Sequence, residues 1–253
     1  MNPDFTAEVH VLTSQHDWLN LLWVLKSLYM MTSCRFSLCI HEDGSLSSEQ
    51  IALIQEHFPF ARIITRIEAD EEMAEPLSDL RKLREIRASN PLILKVSDMP
   101  YFCRSERMFL LDSDVLFFDE PHTLFERIRS KGYLKNTLNR DWKYGYSISE
   151  DYPIEPLINS GLGLIFKDSV NLANLEEYLE IEGIFSHGHR IEQTLFALCS
   201  HQYGFEFLPR EYDVLLGQTP KNVPSFHYTG PIRHRFYSEG LVALREKSDF
   251  FTK

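Results

Sequence analysis

Hydrophobic and polar positions alternate with two different periods along the first part of the chain. Short runs rich in apolar and β-branched residues predict strands at 9–14, 35–41 and 61–67. Between these runs, apolar residues recur every three or four positions, which predicts helices at 15–32 and 47–58. Strands that alternate with helices usually pair in parallel through right-handed crossovers. We therefore expect an α/β fold with a mostly parallel central sheet flanked by helices.

The pattern continues through the rest of the chain with one long interruption. Residues 135–156 are polar and aromatic without a clear period, and a stretch of this kind in a compact domain is usually a lid or a binding loop. No internal repeat, low-complexity tract or linker divides the sequence. The remaining predicted elements are helices at 70–90, 91–99, 122–131, 172–181 and 191–203, and strands at 107–118, 161–166 and 205–208.

Two carboxylates interrupt the most apolar predicted strand. Asp112 and Asp114 lie within 107–118, with four apolar residues before them and four after. Burying ionised carboxylates requires a compensating charge or an opening to solvent. Side chains at i and i+2 of an extended strand point the same way, so the pair could hold one divalent cation, and oxygen ligands favour Mg²⁺ or Mn²⁺. The alternative is a strand that ends in a turn, with its acids capping the next helix.

Composition and charge limit the possible functions. The chain has 253 residues, of which 43% are hydrophobic and 25% charged, as is ordinary for a soluble globular enzyme. A formal net charge of −11 argues against binding to nucleic acid, which needs a basic surface, although one arginine or a metal could still hold a nucleotide diphosphate.

Cysteine usage and the absence of targeting patterns bear on the compartment. Four cysteines without a CxxC pair are typical of free thiols in a reducing compartment. The first residues lack the features of a signal peptide, and no apolar stretch reaches the roughly 20 residues that cross a bilayer. We therefore expect a cytoplasmic protein without a transmembrane segment.

Several motifs occur downstream of the opening strand and helix at 9–31. They are the acids of 112–114, Asn-Ser-Gly at 159–161, Glu-Gln at 192–193, and a histidine with a following glycine and arginine within 227–233. In this order, and over nearly the whole chain, they resemble the GT-A glycosyltransferases. The resemblance is closest to glycosyltransferase family 8, the group of glycogenin and the bacterial lipopolysaccharide galactosyl- and glucosyltransferases.

The resemblance implies an enzyme that moves a hexose from a nucleotide-diphosphate sugar, foremost a UDP-sugar, to a hydroxyl acceptor. It implies that Asp112, Asp114 and His227 hold Mn²⁺ or Mg²⁺, which neutralises the charge developing on the leaving diphosphate. Gly230 and Arg233 then lie at the diphosphate, where the family has glycine and lysine. Arginine suits phosphate oxygens, but the family's Lys-Pro-Trp ending is Arg-His-Arg here, so which cation touches phosphate stays open.

Further site residues follow from the same resemblance. Asn159 is expected to face the donor sugar and the reacting centre, and Glu192 with Gln193 to bind sugar hydroxyls. Each residue type also has a purely structural explanation. Asn159 could form a turn that enters a strand, and Glu192 could be an acid that is favoured in the first turn of a helix. Altogether the expected catalytic residues are Asn159, Glu192 and Gln193, and the expected donor-binding residues are Thr13, Ser14, Lys95, Ser113, Gly230 and Arg233.

The sequence leaves the stereochemistry and the reaction class open. Family 8 enzymes retain the anomeric configuration, in which case the departing phosphate oxygen takes the acceptor's proton. An inverting enzyme would need a carboxylate base, for which Asp141, Asp151 or Glu192 could serve. A nucleotidyltransferase acting on sugar phosphates would usually show a glycine-rich loop after the first strand, and 13–18 contains no glycine. A GT-A-like binding scaffold without turnover is the remaining alternative.

The domain organisation and the acceptor are expectations of the same kind. We expect one GT-A-like domain over 1–253, with a donor-binding half at about 1–120 and an acceptor-side half at about 121–253. The acceptor, whether a glycan, a lipid-linked molecule or a protein, would meet the loop at 135–156 and the tail at 236–253. That tail is amphipathic enough to dock on its own domain or on a membrane surface, so peripheral membrane contact stays open.

Overall fold

The structure is a computed structural model that describes residues 7–32, 36–141, 157–214, 220 and 222–247. Strands and helices alternate through the first half, as the sequence predicts. The strands are β1 Ala7–Thr13, β2 Ser37–Glu42, β3 Arg62–Ile64, β4 Arg107–Asp112, β5 Val115–Phe117, β6 Asn136–Arg140, β7 Ile158–Phe166, β8 Phe205–Phe207 and β9 Ser225–His227. The helices are α1 Trp18–Met31, α2 Ser48–His57, α3 Arg66–Met73, α4 Arg81–Ser89, α5 Leu94–Phe102, α6 His122–Arg129, α7 Leu172–Tyr178, α8 Ile191–Tyr203 and α9 Leu241–Glu246.

Seven strands form the central sheet, in the order β3-β2-β1-β4-β7-β6-β8. The first four of these are parallel to one another, β7 runs antiparallel to both β4 and β6, and β8 is parallel to β6. The mostly parallel α/β sheet is thus confirmed. β5 and β9 form a separate two-stranded antiparallel sheet beside it.

The predicted continuous strand at 107–118 is wrong in one respect that matters for the site. β4 ends at Asp112, Ser113 and Asp114 form a turn, and β5 begins at Val115. The chain leaves the central sheet at this turn because β5 pairs with β9 instead, with Val115 opposite His227. Asp112 therefore lies at the end of the strand and Asp114 in the turn that follows, so the two acids do not share one face of an extended strand. They do not cap a helix either, since α6 begins only at His122.

Three other predicted segments have different boundaries in the structure. The strand predicted at 61–67 stops at Ile64, since Thr65 and Glu68 form a capping box that starts α3. The segment 70–90 is not one helix but the end of α3, a turn region and α4. Likewise, the helix predicted at 172–181 ends at Tyr178.

The segment 135–156, predicted to be irregular, begins with strand β6. The asparagines of β6 are buried because their side-chain oxygens accept hydrogen bonds from backbone N–H groups of β7. Phe166 N donates to Asn136 Oδ1 over 2.9 Å, and Leu162 N donates to Asn139 Oδ1 over 3.2 Å, where the register of β6 shifts. β7 correspondingly begins at Ile158 rather than at 161. The rest of the predicted loop, 142–156, lies outside the described residues.

The core lies on both faces of the sheet. Consecutive residues of β4 alternate between the two large apolar clusters, with Phe109 and Leu111 on one side and Met108 and Leu110 on the other. α1 and α2 cover the first face, and α5 and α8 cover the second. This sandwich fixes the carboxyl end of β4, which is where open α/β sheets bind ligands.

The carboxyl-terminal segment up to residue 247 packs on the protein itself. Phe236 and Leu244 are fully buried, and Gly240 lies so close to β5 that a Cβ there would be 2.6 Å from Leu116 Cδ1. Of the two docking modes expected for the tail, the described part adopts the one on its own domain. Among the described helices, none is long and apolar enough to cross a bilayer.

Candidate active site

The turn after β4 brings both acids next to a distant histidine. His227 Nε2 lies 3.0 Å from Asp114 Oδ1 and 3.8 Å from Asp112 Oδ2. The antiparallel pairing of β5 with β9 produces this contact, and Tyr228 N donates to Asp114 O over 2.9 Å at the same place. The potential ligand atoms of the three side chains all lie within 4.8 Å of one another. Three residues that the resemblance assigns to one metal ion are thus brought together.

A glycine makes room for the histidine ring. A Cβ on Gly161 would lie 2.2 Å from His227 Cε1, closer than any real contact, so only glycine leaves space for the imidazole in its present position. Gly161 N also donates to Asn159 Oδ1 over 2.9 Å, and Asn159 Nδ2 donates to Asp141 Oδ2 over 3.2 Å. The segment 159–161 therefore lies beside the acid and histidine cluster.

Arg233 compensates the buried charge of Asp114. Its guanidinium bonds Asp114 Oδ2 at 2.7 Å and Asp17 Oδ1 at 3.1 Å. Burial by itself would raise the pKa of Asp114, but the positive charges of His227 and Arg233 outweigh it and lower the pKa to about 2. Burial would lower the pKa of His227, but the charge of Asp114 raises it. The acid is therefore ionised and the imidazole beside it is readily protonated when no metal is bound.

The cluster suits a divalent cation by its donor set. Asp114 Oδ1 is buried, and its contact with His227 Nε2 at 3.0 Å is an ion pair rather than a well-aligned hydrogen bond. Such an oxygen needs a positive ligand to offset its lost hydration. Two carboxylates with one imidazole fit Mn²⁺ better than Mg²⁺, because Mg²⁺ prefers oxygen ligands alone.

A second chain of contacts runs from Asp112 into the sheet. Lys95 Nζ, on α5, lies 2.7 Å from Asp112 Oδ1 and donates to Ser160 Oγ over 3.0 Å. Ser160 Oγ in turn donates to Glu192 Oε1 over 3.2 Å, at the start of α8. Burial raises the pKa of Glu192 to about 7, with Lys95 opposing this shift and Asp112 adding to it. Glu192 Oε2 is buried and without a hydrogen-bond partner in the part of the chain that the structure describes.

The other expected site residues are distributed around this centre. Thr13 lies buried at the end of β1, and its Oγ1 has no partner among the residues described. Gln193 Oε1 is likewise buried and unpartnered there, whereas Ser14 Oγ donates to Asp17 Oδ2 over 3.2 Å. Ser113 is buried in the turn between the acids, and the exposed Gly230 begins the turn that leads to Arg233. Asp151 lies outside the described residues.

Two residues of this site are not predicted from the sequence. Asp17 holds Arg233 from the start of α1, and no local pattern connects positions so far apart in the chain. Ser160 joins Lys95 to Glu192, and its position within the Asn-Ser-Gly motif was the signal that could have identified it.

The fold matches that of solved GT-A glycosyltransferases. The apo structure of mouse xyloside xylosyltransferase 1 matches with a TM-score of 0.61 and 14% identity, covering 89% of this chain and 98% of that one. The galactosyltransferase LgtC, solved with donor and acceptor sugar analogues, matches with a TM-score of 0.60 and 12% identity, covering 88% and 87%. The mannosyltransferase Ktr4p from S. cerevisiae matches with a TM-score of 0.54 and 10% identity, covering 82% and 69%.

These likenesses confirm the expected GT-A fold. At such low identities they show the fold alone, and the activity has to be argued from the site. No protein-family profile matches the sequence, and a search of curated proteins finds no match.

Proposed function

We propose that this protein is a metal-dependent glycosyltransferase that moves a hexose from a nucleotide-diphosphate sugar, foremost a UDP-sugar, to a hydroxyl acceptor. One observation carries the proposal. In a GT-A fold, the turn after the central strand β4 brings the carboxylates of Asp112 and Asp114 within 4.8 Å of a nitrogen of His227. The only strong compensating partner of Asp114 besides that histidine, among the described residues, is Arg233.

The diphosphate end of the donor is assigned to these charges. Asp112, Asp114 and His227 would hold the ion, Mn²⁺ by the donor set, and the ion supplies positive charge that stabilises the leaving diphosphate. Arg233 is 44% exposed in its side chain and can therefore reach phosphate oxygens while its position is fixed by Asp17. Its planar fork matches two phosphate oxygens at once.

The sugar end of the donor is assigned to the buried polar residues behind the acids. Glu192 Oε2 and Gln193 Oε1 are acceptors without partners in the described parts of the chain, and sugar hydroxyls would supply the missing donors. Lys95 and Ser160 hold the carboxylate of Glu192 in place. Asn159 lies next to His227 and is oriented by Asp141, which supports its role at the reacting centre.

Retention of configuration belongs to the same proposal. A retaining transfer needs no dedicated base, since the leaving phosphate oxygen can accept the acceptor's proton. Asp141, one of the bases an inverting enzyme could use, already accepts a hydrogen bond from Asn159. Nuclear magnetic resonance of the anomeric proton in the first-formed product decides between the two outcomes.

The domain organisation and the compartment also remain proposals. We place one domain over 1–253, with a donor-binding half at about 1–120 that supplies the two acids and an acceptor-side half at about 121–253. A cytoplasmic location is supported by the free, buried thiols of Cys39, Cys103 and Cys199. The acceptor stays open between a glycan, a lipid-linked molecule and a protein.

Release of UDP from a panel of UDP-hexoses tests the activity directly. We expect Mn²⁺-dependent release from at least one donor, and a fall of about 100-fold or more in Asp114→Asn. Asp119→Asn, which changes an exposed carboxylate five positions away, is the matched control and should behave as the wild type. UDP release that is unchanged by EDTA and unchanged in Asp114→Asn would refute the proposed metal site. Metal-dependent UDP binding without release or transfer from any donor would favour the scaffold.

A further inference from the structure

A second cluster of potential metal ligands lies inside the sheet, between β1 and β2. His10 and Cys39 are direct partners in the parallel register, and His41 follows two residues beyond Cys39 on the same face. His10 and Cys39 are fully buried, and His41 is 2% exposed. Ligand atoms of all three lie within 4.8 Å of one another, and none of the three belongs to the active-site group.

Imidazoles are unusual at these positions. Interior strands of a parallel sheet are covered on both faces and normally carry valine, isoleucine or leucine, as Val9, Val11 and Ile40 do on the opposite face. Burying a polar ring costs free energy unless its nitrogens gain partners. The polar residues also leave only a small apolar cluster here, in which Cys39 packs with Ile64 and Ala69.

Glu8 orients the ring of His10. Glu8 Oε2 lies 3.1 Å from His10 Nε2, and the carboxylate is held by Arg62 NH2 at 3.2 Å and by Arg104 N at 2.8 Å. When Glu8 Oε2 accepts a hydrogen bond from His10 Nε2, Nδ1 of the same ring carries a lone pair. Carboxylate, histidine and metal are commonly arranged in this way.

His10 contacts His41, and His41 in turn contacts Cys39. His10 Nδ1 lies 2.9 Å from His41 Nε2, and Cys39 Sγ lies 3.5 Å from the same nitrogen. Around a tetrahedral zinc ion, two nitrogens are separated by about 3.3 Å and a nitrogen and a sulfur by about 3.5 Å. The sulfur distance already fits, and the two rings need to separate by only about 0.4 Å.

We propose that His10, Cys39 and His41 bind one Zn²⁺ ion that joins β1 to β2, separately from the active-site metal. On binding, the thiol of Cys39 loses its proton to solvent, and the proton of His41 moves from Nε2 to Nδ1. The thiolate offsets one of the ion's two charges, and the carboxylate of Glu8, which also pairs with Arg62, faces the ion only through the ring of His10. Cys103 belongs to a separate group with Glu8 and His10 and is not assigned to the ion. The competing arrangement is a metal-free hydrogen-bonded chain from Glu8 through His10 to His41.

Cobalt substitution separates the two arrangements, because only a thiolate ligand gives a sulfur-to-cobalt charge-transfer band. The whole protein is stripped of metal, loaded with Co²⁺ and recorded by absorption, and zinc in the untreated protein is measured by mass spectrometry. We expect one zinc per chain, and a charge-transfer band with tetrahedral visible bands after loading. Asp112→Ala should keep both signals, since the active-site group contains no sulfur.

Substitutions of two buried cysteines provide the second test. Cys39→Ala should lose the charge-transfer band and the bound zinc, whereas Cys199→Ala, an equally buried thiol on α8 outside every potential metal group of the described residues, should keep them. Wild-type protein with neither zinc nor a charge-transfer band would overturn the proposal, even if Cys39→Ala does not fold. A band that survives in Cys39→Ala would also overturn it.

Discussion

A substitution at Gly161 tests the active-site geometry, because a methyl group at this position would collide with the imidazole of His227. A Cβ at this position would lie 2.2 Å from His227 Cε1. We expect Gly161→Ala to displace the imidazole, to cost about 1–3 kcal/mol of folding free energy and to abolish the rise in melting temperature that Mn²⁺ with UDP produces.

The control for this change is Gly132→Ala. A Cβ on Gly132 meets nothing within 4 Å, so the free energy of unfolding should change by less than about 0.5 kcal/mol and the response to Mn²⁺ and UDP should persist. Thermal unfolding with and without the two ligands measures both variants. An unchanged ligand response in Gly161→Ala would contradict the placement of His227.

Glu192 makes the stability of the metal-free protein depend on pH. Its folded-state pKa is raised by burial to about 7, against a usual value of 4.5. The native state therefore holds a proton that the unfolded state has released between these values. The stabilisation is complete below pH 4.5 and is lost as the pH rises to about 7, by about 1.4 kcal/mol per pH unit.

Glu192→Gln should remove this part of the pH dependence. Urea unfolding at several pH values between 4.5 and 7 is compared for the wild type, Glu192→Gln and the exposed Glu75→Gln, which should follow the wild type. If the curves of wild type and Glu192→Gln decline in parallel, Glu192 does not carry a raised pKa.

Helix α6 is attached to the sheet by a buried guanidinium. Arg107 on β4 is 2% exposed and donates to Arg127 O over 2.7 Å and to Ser130 O over 3.2 Å, carbonyls at the carboxyl end of the helix. Its guanidinium also lies 4.7 Å from the ring centre of Phe166. Cations stabilise helix carboxyl ends, and charged donors form the stronger hydrogen bonds.

We expect Arg107→Met to lower the free energy of unfolding by about 2–4 kcal/mol, because the carbonyls of Arg127 and Ser130 lose their charged donor. Arg81→Met is the control, since Arg81 pairs with Glu85 only at the exposed surface and should cost less than about 0.5 kcal/mol. Chemical denaturation measures both. A loss of less than about 1 kcal/mol in Arg107→Met would show that the guanidinium is not needed to hold α6.

The local pattern of apolar residues predicts most helices and strands. It fails where side chains, rather than the backbone, form the hydrogen bonds. The βα units from β1 to β3 follow from apolar spacing alone. The strand β6 escapes the pattern because Asn136 and Asn139 are polar yet buried through their amides. The break between β4 and β5 depends on pairing with β9, a strand more than a hundred positions later, and no local signal at Asp112 or Asp114 reports it.

The active site also combines features that the sequence predicts with contacts that only the folded chain creates. The order of motifs along the chain identifies most of its residues and predicts the GT-A fold. Sequence cannot give the contacts that depend on folding, such as Arg233 between Asp114 and Asp17 or Lys95 on Asp112. These contacts show which cations already compensate the acids before any metal or diphosphate arrives.

Calorimetric titration of UDP into the whole protein, once with Mn²⁺ and once with EDTA, tests the central claim most directly. We predict binding that requires Mn²⁺, is lost in Asp112→Ala and is kept in Asp119→Asn, because the acid pair, His227 and Arg233 together provide the diphosphate site. UDP binding that is equally strong in EDTA, or that survives unchanged in Asp112→Ala, would contradict it.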